Sequence, residues 1–235
     1  MALPRINNPT YELDLPSTGE KIKFRPFLVK EQKVLMMAQD GKKDSEIAET
    51  MGQLVSSCTY GKVKPDTSPM FDMEYVFLKI RSKSVGSKVD LMVVCPDDEK
   101  TQAKVSLDLD DINVTMTDDH INEVQINDKV KVVFRYPILN DMLDLPSASN
   151  DVDRVFHILG KCITSISFGD DVYQRKEITE DEVKTFVDDL TGEQFDKLVD
   201  FFGSMPKLRH VINITNPKTK VKSEVVLEGL ESFLE

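Results

Sequence analysis

The hydrophobic period of this chain switches from two residues to about 3.6 and back several times, and each switch marks where one kind of element ends and another begins. Tyr11-Glu-Leu-Asp-Leu15 alternates in polarity, as does Lys21-Ile-Lys-Phe-Arg25. The turn cluster Pro16-Ser-Thr-Gly19 lies between them, so the pair predicts a β-hairpin. After Pro26 the period becomes helical over Leu28 to Gln39, and Asp40-Gly41-Lys-Lys43 breaks that helix. A second helix starting near Asp44 carries apolar residues at 47, 51, 54, 55 and 58. Ser68-Pro69 reads as an N-cap followed by a first-turn proline, opening a third helix through Met73, Val76, Phe77 and Ile80.

From about Val85 the chemistry favours strands. Val89–Val94, Ala103–Leu107, Ile112–Met116 and Lys129–Arg135 are β-rich or alternating, with Cys95-Pro96-Asp97-Asp98 and Tyr136-Pro137 as stops. An apolar stripe at 152, 155, 156, 159, 162, 163 and 166 predicts a helix over Val152 to Ile166. Thr179-Glu-Asp-Glu182 and Thr191-Gly-Glu-Gln194 are capping boxes, each with a hydrophobic staple: Ile178 with Val183, and Leu190 with Phe195. Phe195 and Phe202 are expected inside. Arg209–Thr215 and Val221–Val226 flank Asn216-Pro-Lys-Thr219 as a terminal hairpin. No repeat of 20–50 residues stands out. The expected fold is α+β in three lobes: a hairpin and helices over 1–86, a small antiparallel β lobe over 87–145, and helices with a β-hairpin over 146–235.

Charge narrows the function classes. The 235 residues carry a net charge of −11, with 40% apolar and 30% charged side chains, a globular composition. Residues 1–86 hold 13 basic and 11 acidic side chains, residues 87–145 hold 6 and 13, and the rest hold 11 and 17. Such a surface repels phosphate backbones, so no nucleic-acid partner is expected. The densest basic run, Lys79, Arg81 and Lys83, is short and has no interleaved aromatics. No apolar run approaches the roughly 20 residues that span a bilayer, and Met1 to Thr10 has no secretory h-region. Cys58, Cys95 and Cys162 are odd in number and far apart, which fits a reducing cytoplasm; Cys58 and Cys162 continue apolar stripes and read as small buried residues.

No catalytic constellation is expected. His120, His157 and His210 lie in separate segments, and Asp118-Asp119-His120 puts adjacent residues on a loop without convergence. Asp108-Leu-Asp-Asp-Ile112 starts like a calcium loop but lacks glycine at the sixth position and glutamate at the twelfth. Gly41-Lys42-Lys43 and Gly61-Lys62 lack the second glycine of a phosphate loop, and neither Gly86-Ser87 nor Gly203-Ser204 forms a nucleophile elbow. The chain reads as a non-enzyme with no cofactor and no metal; a cytoplasmic metal-dependent enzyme is the weakest alternative. The ten methionines, several at element ends, suit either gap-filling in a core or an adaptable contact surface.

The run Pro9-Thr-Tyr-Glu-Leu-Asp-Leu-Pro-Ser-Thr-Gly-Glu-Lys-Ile-Lys-Phe-Arg-Pro-Phe-Leu-Val-Lys-Glu31 resembles the start of the baseplate hub subunit family of T-even-type contractile-tailed phages. Tyr75-Val-Phe-Leu-Lys-Ile-Arg-Ser-Lys-Ser-Val-Gly86, Cys95-Pro96 and Lys131-Val-Val-Phe-Arg-Tyr-Pro137 are similar to later segments of it. Some relatives carry a second cysteine just after Cys95, whereas this chain has Asp97, Asp98 and Glu99, so a zinc turn lacks its partner thiol. The resemblance implies a non-enzymatic part in building the central tail hub, with other hub or tape-measure proteins as partners. It leaves open a virion subunit or a transient tail assembly chaperone, working in the host cytoplasm. The nearly neutral N-terminal lobe, with Phe24, Phe27, Leu28 and Met36, is the expected contact surface.

Overall fold

The computed structural model describes residues 7–41, 44–117, 119–144 and 151–233. The chain opens with β1 (Tyr11–Asp14), β2 (Lys21–Phe24), α1 (Val29–Gly41), α2 (Asp44–Cys58) and α3 (Met70–Val85). Strands β3 (Lys88–Val94), β4 (Gln102–Asp108), β5 (Asn113–Thr115), β6 (Glu123–Gln125) and β7 (Val130–Phe134) follow. Then come α4 (Leu139–Leu143), α5 (Asp151–Cys162), β8 (Ile163–Phe168), β9 (Asp171–Gln174), α6 (Glu180–Asp188), α7 (Gly192–Ser204), β10 (Lys207–Thr215) and β11 (Lys222–Glu228). All strand pairs are antiparallel, so the fold is α+β with small separate sheets. Among the described residues no helix is long and apolar enough to cross a membrane.

Strand pairing divides the chain into two units, Met1–Thr115 with Lys207–Glu235, and Met116–Pro206. These boundaries differ from the three lobes expected at 86 and 145. The physical reason is that strands of the middle segment pair outside it: β5 with β10, and β7 with β8.

In the first unit α3 is the central helix. Phe71, Met73, Val76, Phe77, Leu78 and Ile80 are all buried, covering more than one face, as expected of a helix packed on several sides. It starts one residue later than its sequence implies. Ser68 Oγ accepts the Lys64 N–H at 3.0 Å instead of capping the helix, and Pro69 occupies the N-cap position. The hairpin β1–β2 places Leu13, Ile22 and Phe24 in the core, while the sheet β11-β10-β5 contributes Leu208, Ile212, Ile214 and Leu227.

The second unit is the sheet β6-β7-β8-β9 with helices packed on it. Its core joins Ile126, Val132, Phe134, Leu159, Ile163, Val183, Leu198 and Phe201. The expected helix over 152–166 ends at Cys162, and the remaining residues form β8. Ile163, Thr164 and Ile166 are β-branched, and β8 is paired on both edges, to β7 and β9. Both capping boxes form. The Glu182 N–H donates to Thr179 Oγ1 at 3.2 Å and the Gln194 N–H to Thr191 Oγ1 at 3.4 Å, with the reciprocal bonds at 2.7 and 3.0 Å. The staple residues Ile178, Val183, Leu190 and Phe195 all pack on this core. Of the adjacent phenylalanines, Phe201 is the buried one, and Phe202 lies half-buried against it and Phe134.

Each unit contains a copy of one local device. Lys21-Ile-Lys-Phe-Arg25 and Lys131-Val-Val-Phe-Arg135 each end a hairpin, with Phe24 and Phe134 buried. Arg25 donates to Glu31 at 2.9 and 2.7 Å and to the Pro26 carbonyl at 3.0 Å. Arg135 donates to Asp141 at 2.6 and 2.8 Å and to the Tyr136 carbonyl at 3.1 Å. The carboxylate in turn accepts a helix-start N–H, from Leu28 at 2.6 Å and from Ile138 at 2.9 Å. The backbone N–H of each arginine donates to the carbonyl of a helix-ending buried cysteine, Cys58 at 3.0 Å and Cys162 at 2.8 Å. The two copies lie 110 residues apart, beyond the periods expected of solenoids.

Candidate functional site

The contact residues expected from the sequence separate by burial. Phe24 is only 2% exposed and lies beside Tyr11, with ring centroids 5.6 Å apart, so it closes the core instead of offering a surface. Phe27 and Leu28 are half-buried, and the Phe27 N–H donates to Ser84 Oγ at 3.0 Å. Met36 is 58% exposed. It belongs to a wider surface on α1. That helix meets α2 at Glu31, whose carboxylate accepts from the Ser57 hydroxyl at 3.1 Å, and Lys30, Glu31 and Val34 line a pocket with Thr50, Gln53, Leu54 and Ser57 of α2. Val29, Lys33, Met36 and Met37 are exposed on the same helix, Val29 being 82% and Met37 63% exposed.

His120 is held as a packing group. His120 lies beside Tyr136 and Phe201, with ring centroids 5.6 and 4.9 Å away, and its Nδ1 is 3.0 Å from Ser204 Oγ. That hydroxyl donates to the Asp200 carbonyl at 2.9 Å, and His120 Nε2 has no partner among the described residues, so no carboxylate orients the ring as a base. Burial lowers the His120 pKa from its usual value. Asp118 lies outside the described residues. His157 is on α5 and His210 on β10, apart from it in sequence and element. Among the described residues no three His, Cys, Asp or Glu side chains form a metal-holding group.

The acidic loops are occupied from within. Lys79 reaches from α3 into the 108–112 loop, where its ammonium donates to the carbonyls of Leu109 at 3.2 Å, Asp110 at 2.7 Å and Ile112 at 2.8 Å. A lysine thus supplies the positive charge in the loop whose start resembled a calcium site. Lys83 pairs with Asp110 at 2.6 Å, so Lys79 and Lys83 of the densest basic run are engaged internally. At the other cluster, Asp97 accepts from Asn216 at 3.0 and 3.1 Å, and Asp98 accepts from the Thr101 N–H at 2.9 Å and its hydroxyl at 2.6 Å. These carboxylates staple turns. Cys95 is buried beside them and its pKa is raised, first by burial and then by Asp97 and Asp98.

Residues 8–235 match the family described as T4 bacteriophage base plate protein. The chain belongs to this family. No curated protein and no solved structure matches it.

The electrostatics of the baseplate protein fit fixed internal scaffolding around the two arginine clamps. Burial opposes ionisation of Glu31, but Arg25, the Leu28 N–H and Ser57 outweigh it and hold the carboxyl at about 2. Burial pushes the Cys58 thiol to about 11 and the Cys162 thiol to about 12, so both stay protonated and unreactive near neutrality. The two arginine clamps escaped the sequence reading, although the matching Lys-x-x-Phe-Arg runs with an acid six residues later were visible. Comparison of distant segments would have found them.

Proposed function

We propose that this baseplate protein is a non-enzymatic hub subunit that helps assemble the central tail hub through protein–protein contacts. The observation carrying this reading is the outward face of α1. Val29, Met36 and Met37 are exposed there, apolar area that a protein partner can cover. Methionines at 36 and 37 suit such a contact, because their unbranched side chains adapt to irregular partners. The internal engagement of Lys79 and Lys83 further supports a protein partner over nucleic acid. Expected partners are other hub or tape-measure proteins, met in the host cytoplasm and retained in the tail baseplate.

The test is affinity capture of tagged chain from infected cells, combined with mass spectrometry of purified virions. Recovery of hub or tape-measure proteins, and presence of the chain in virions, is the expected result. Recovery of no baseplate protein refutes the reading. Capture from lysate with absence from virions refutes the subunit role and supports a transient chaperone. Because Phe24 and Ile22 are core residues, Met36→Glu with Met37→Glu is a cleaner surface probe than deletion of the N-terminal segment.

A further inference from the structure

We propose that the segment between Cys162 and α7 carries a docking pocket for another baseplate protein, one that presents a large apolar side chain flanked by lysine or arginine. This rests on the reading of the chain as a subunit that works through protein contacts, and it adds a surface apart from α1.

The likeness between the two arginine clamps extends along both halves of the chain. Glu12, Leu13 and Asp14 pair with Lys23, Ile22 and Lys21 in the register in which Glu123, Val124 and Gln125 pair with Val133, Val132 and Lys131. A helix ending in a buried cysteine follows each clamp, and later a helix leads into a hairpin, α3 into β3–β4 and α7 into β10–β11. The two hairpin turns match in detail. Cys95 and Asn216 each precede a proline and donate their N–H across the turn, at 2.7 and 2.9 Å. Each also accepts from the N–H of a residue with positive φ, Glu99 at 2.9 Å and Lys220 at 3.0 Å. Leu109 and Ile112 lie buried after β4 as Leu230 and Phe233 do after β11. The halves part between the cysteine and the next shared helix. Residues 59–69 cross that interval without a helix or strand and hold two basic and one acidic side chains. Residues 163–191 cross it with β8, β9 and α6 and hold three basic and eight acidic side chains.

This added segment builds a pocket of about 310 Å³, and all of the lining except Val130 belongs to it. Ile166 and Val183 are buried beneath the pocket, while Phe168 and Tyr173 at its sides are 54% and 47% exposed. A small apolar pocket with aromatic walls fits one large anchor side chain, the kind of contact that dominates protein interfaces. Glu182 is the one charged lining residue among the described residues. Its Oε2 accepts from the Thr179 N–H and hydroxyl at 2.7 and 2.8 Å, which leaves Oε1 to meet a cation. Arg175 of the same segment is engaged by Glu180 at 2.6 Å and by the Ile178 carbonyl at 2.9 Å, so it does not fill that role. The acidic excess of the segment steers a basic partner towards the pocket.

The test is an NMR titration of the full chain, labelled at isoleucine and valine methyls, with three capped tripeptides. Lys-Trp-Lys should shift the Ile166, Ile178 and Val183 methyls saturably. Lys-Ala-Lys, which lacks the anchor, and Glu-Trp-Glu, which has the wrong charge, should bind more weakly. Glu182→Gln keeps the capping box and should weaken Lys-Trp-Lys binding about 1.5- to 5-fold, the range for an exposed ion pair. Phe168→Ser, at an exposed wall, should remove the saturable shifts with an unchanged circular dichroism spectrum. Absence of saturable shifts at these methyls overturns the proposal, as does equal binding of Glu-Trp-Glu or indifference to Phe168→Ser. Affinity capture from infected cells separates this site from the hub reading. Baseplate proteins recovered by the parent and lost with Phe168→Ser support the site. Equal recovery by both overturns the site and leaves the hub reading standing, whereas recovery by neither overturns both.

Discussion

Replacing Lys79 with methionine should destabilise the first unit by about 2–4 kcal/mol, through orphaned carbonyls and not through lost packing. The side chain is 8% exposed, and its ammonium is the shared donor to three backbone oxygens. Methionine keeps most of the stem, so the cavity cost is small. The Leu109 and Ile112 carbonyls are buried with the ammonium, whereas the bond to Asp110 is only partly buried and water can replace it. Two buried acceptors left without donors cost about 1–3 kcal/mol each, and relief from burying a charge returns part of that. That burial is the leading cause of the lowered Lys79 pKa, with Asp110 opposing it. Urea unfolding followed by far-UV circular dichroism is the assay, because the chain has no tryptophan for fluorescence. Lys33→Met on the outer face of α1 is the control and should change little. A Lys79→Met loss below about 0.5 kcal/mol would refute the claim that this ammonium holds the loop.

Phe201→Ala should cost about 3–5 kcal/mol by cavity formation, and Phe202→Ala clearly less, as read by thermal unfolding; equal losses would contradict their burial. Thr191→Ala should cost about 0.5–2 kcal/mol by freeing the Gln194 N–H, measured the same way. Glu31 has a folded pKa of about 2 against an ordinary 4.5, so its stabilising contribution is complete above 4.5 and is lost as pH falls from there towards 2. Glu31→Gln should therefore flatten the stability-versus-pH curve on the acid side, and an unchanged slope would count against the Arg25 clamp. Glu74 behaves in the opposite sense. Burial, with Glu231 nearby, raises its pKa to about 7 despite a Leu230 N–H, so its contribution is fullest below 4.5 and declines as pH rises through 7. Glu74→Gln should raise the melting midpoint at pH 8 relative to the parent, and a lower midpoint would oppose this assignment.

Periodicity made the first hairpin, the three N-terminal helices and both capping boxes legible, because their signals are local. Where the sequence misleads, two patterns overlap. Ile163 and Ile166 stay in phase with the apolar stripe of α5, so the pattern alone extends a helix where pairing to β7 and β9 makes a strand. The strands β6 and β9 have three and four residues and no buried alternation, so they show little period to read. Lys79 looks like a surface charge until the loop it enters is known. Of the expected contact surface, Met36 is outward and Phe24 inward, a difference that depends on how β2 and α1 pack and not on residue type.

The position of β10 has a consequence for synthesis. It is the middle strand of its sheet, between β11 and β5, yet it is made after the whole of the second unit. As the chain emerges, Met116–Pro206 can complete its own pairings first, since all four of its strands are in hand. The earlier β5 meanwhile waits unpaired for residues 207–209, and the core supplied by Leu208, Ile212 and Ile214 stays open. Residues 207–233 therefore act as a closing seam on the nascent chain. Premature termination there would release a finished second unit attached to an unclosed first one.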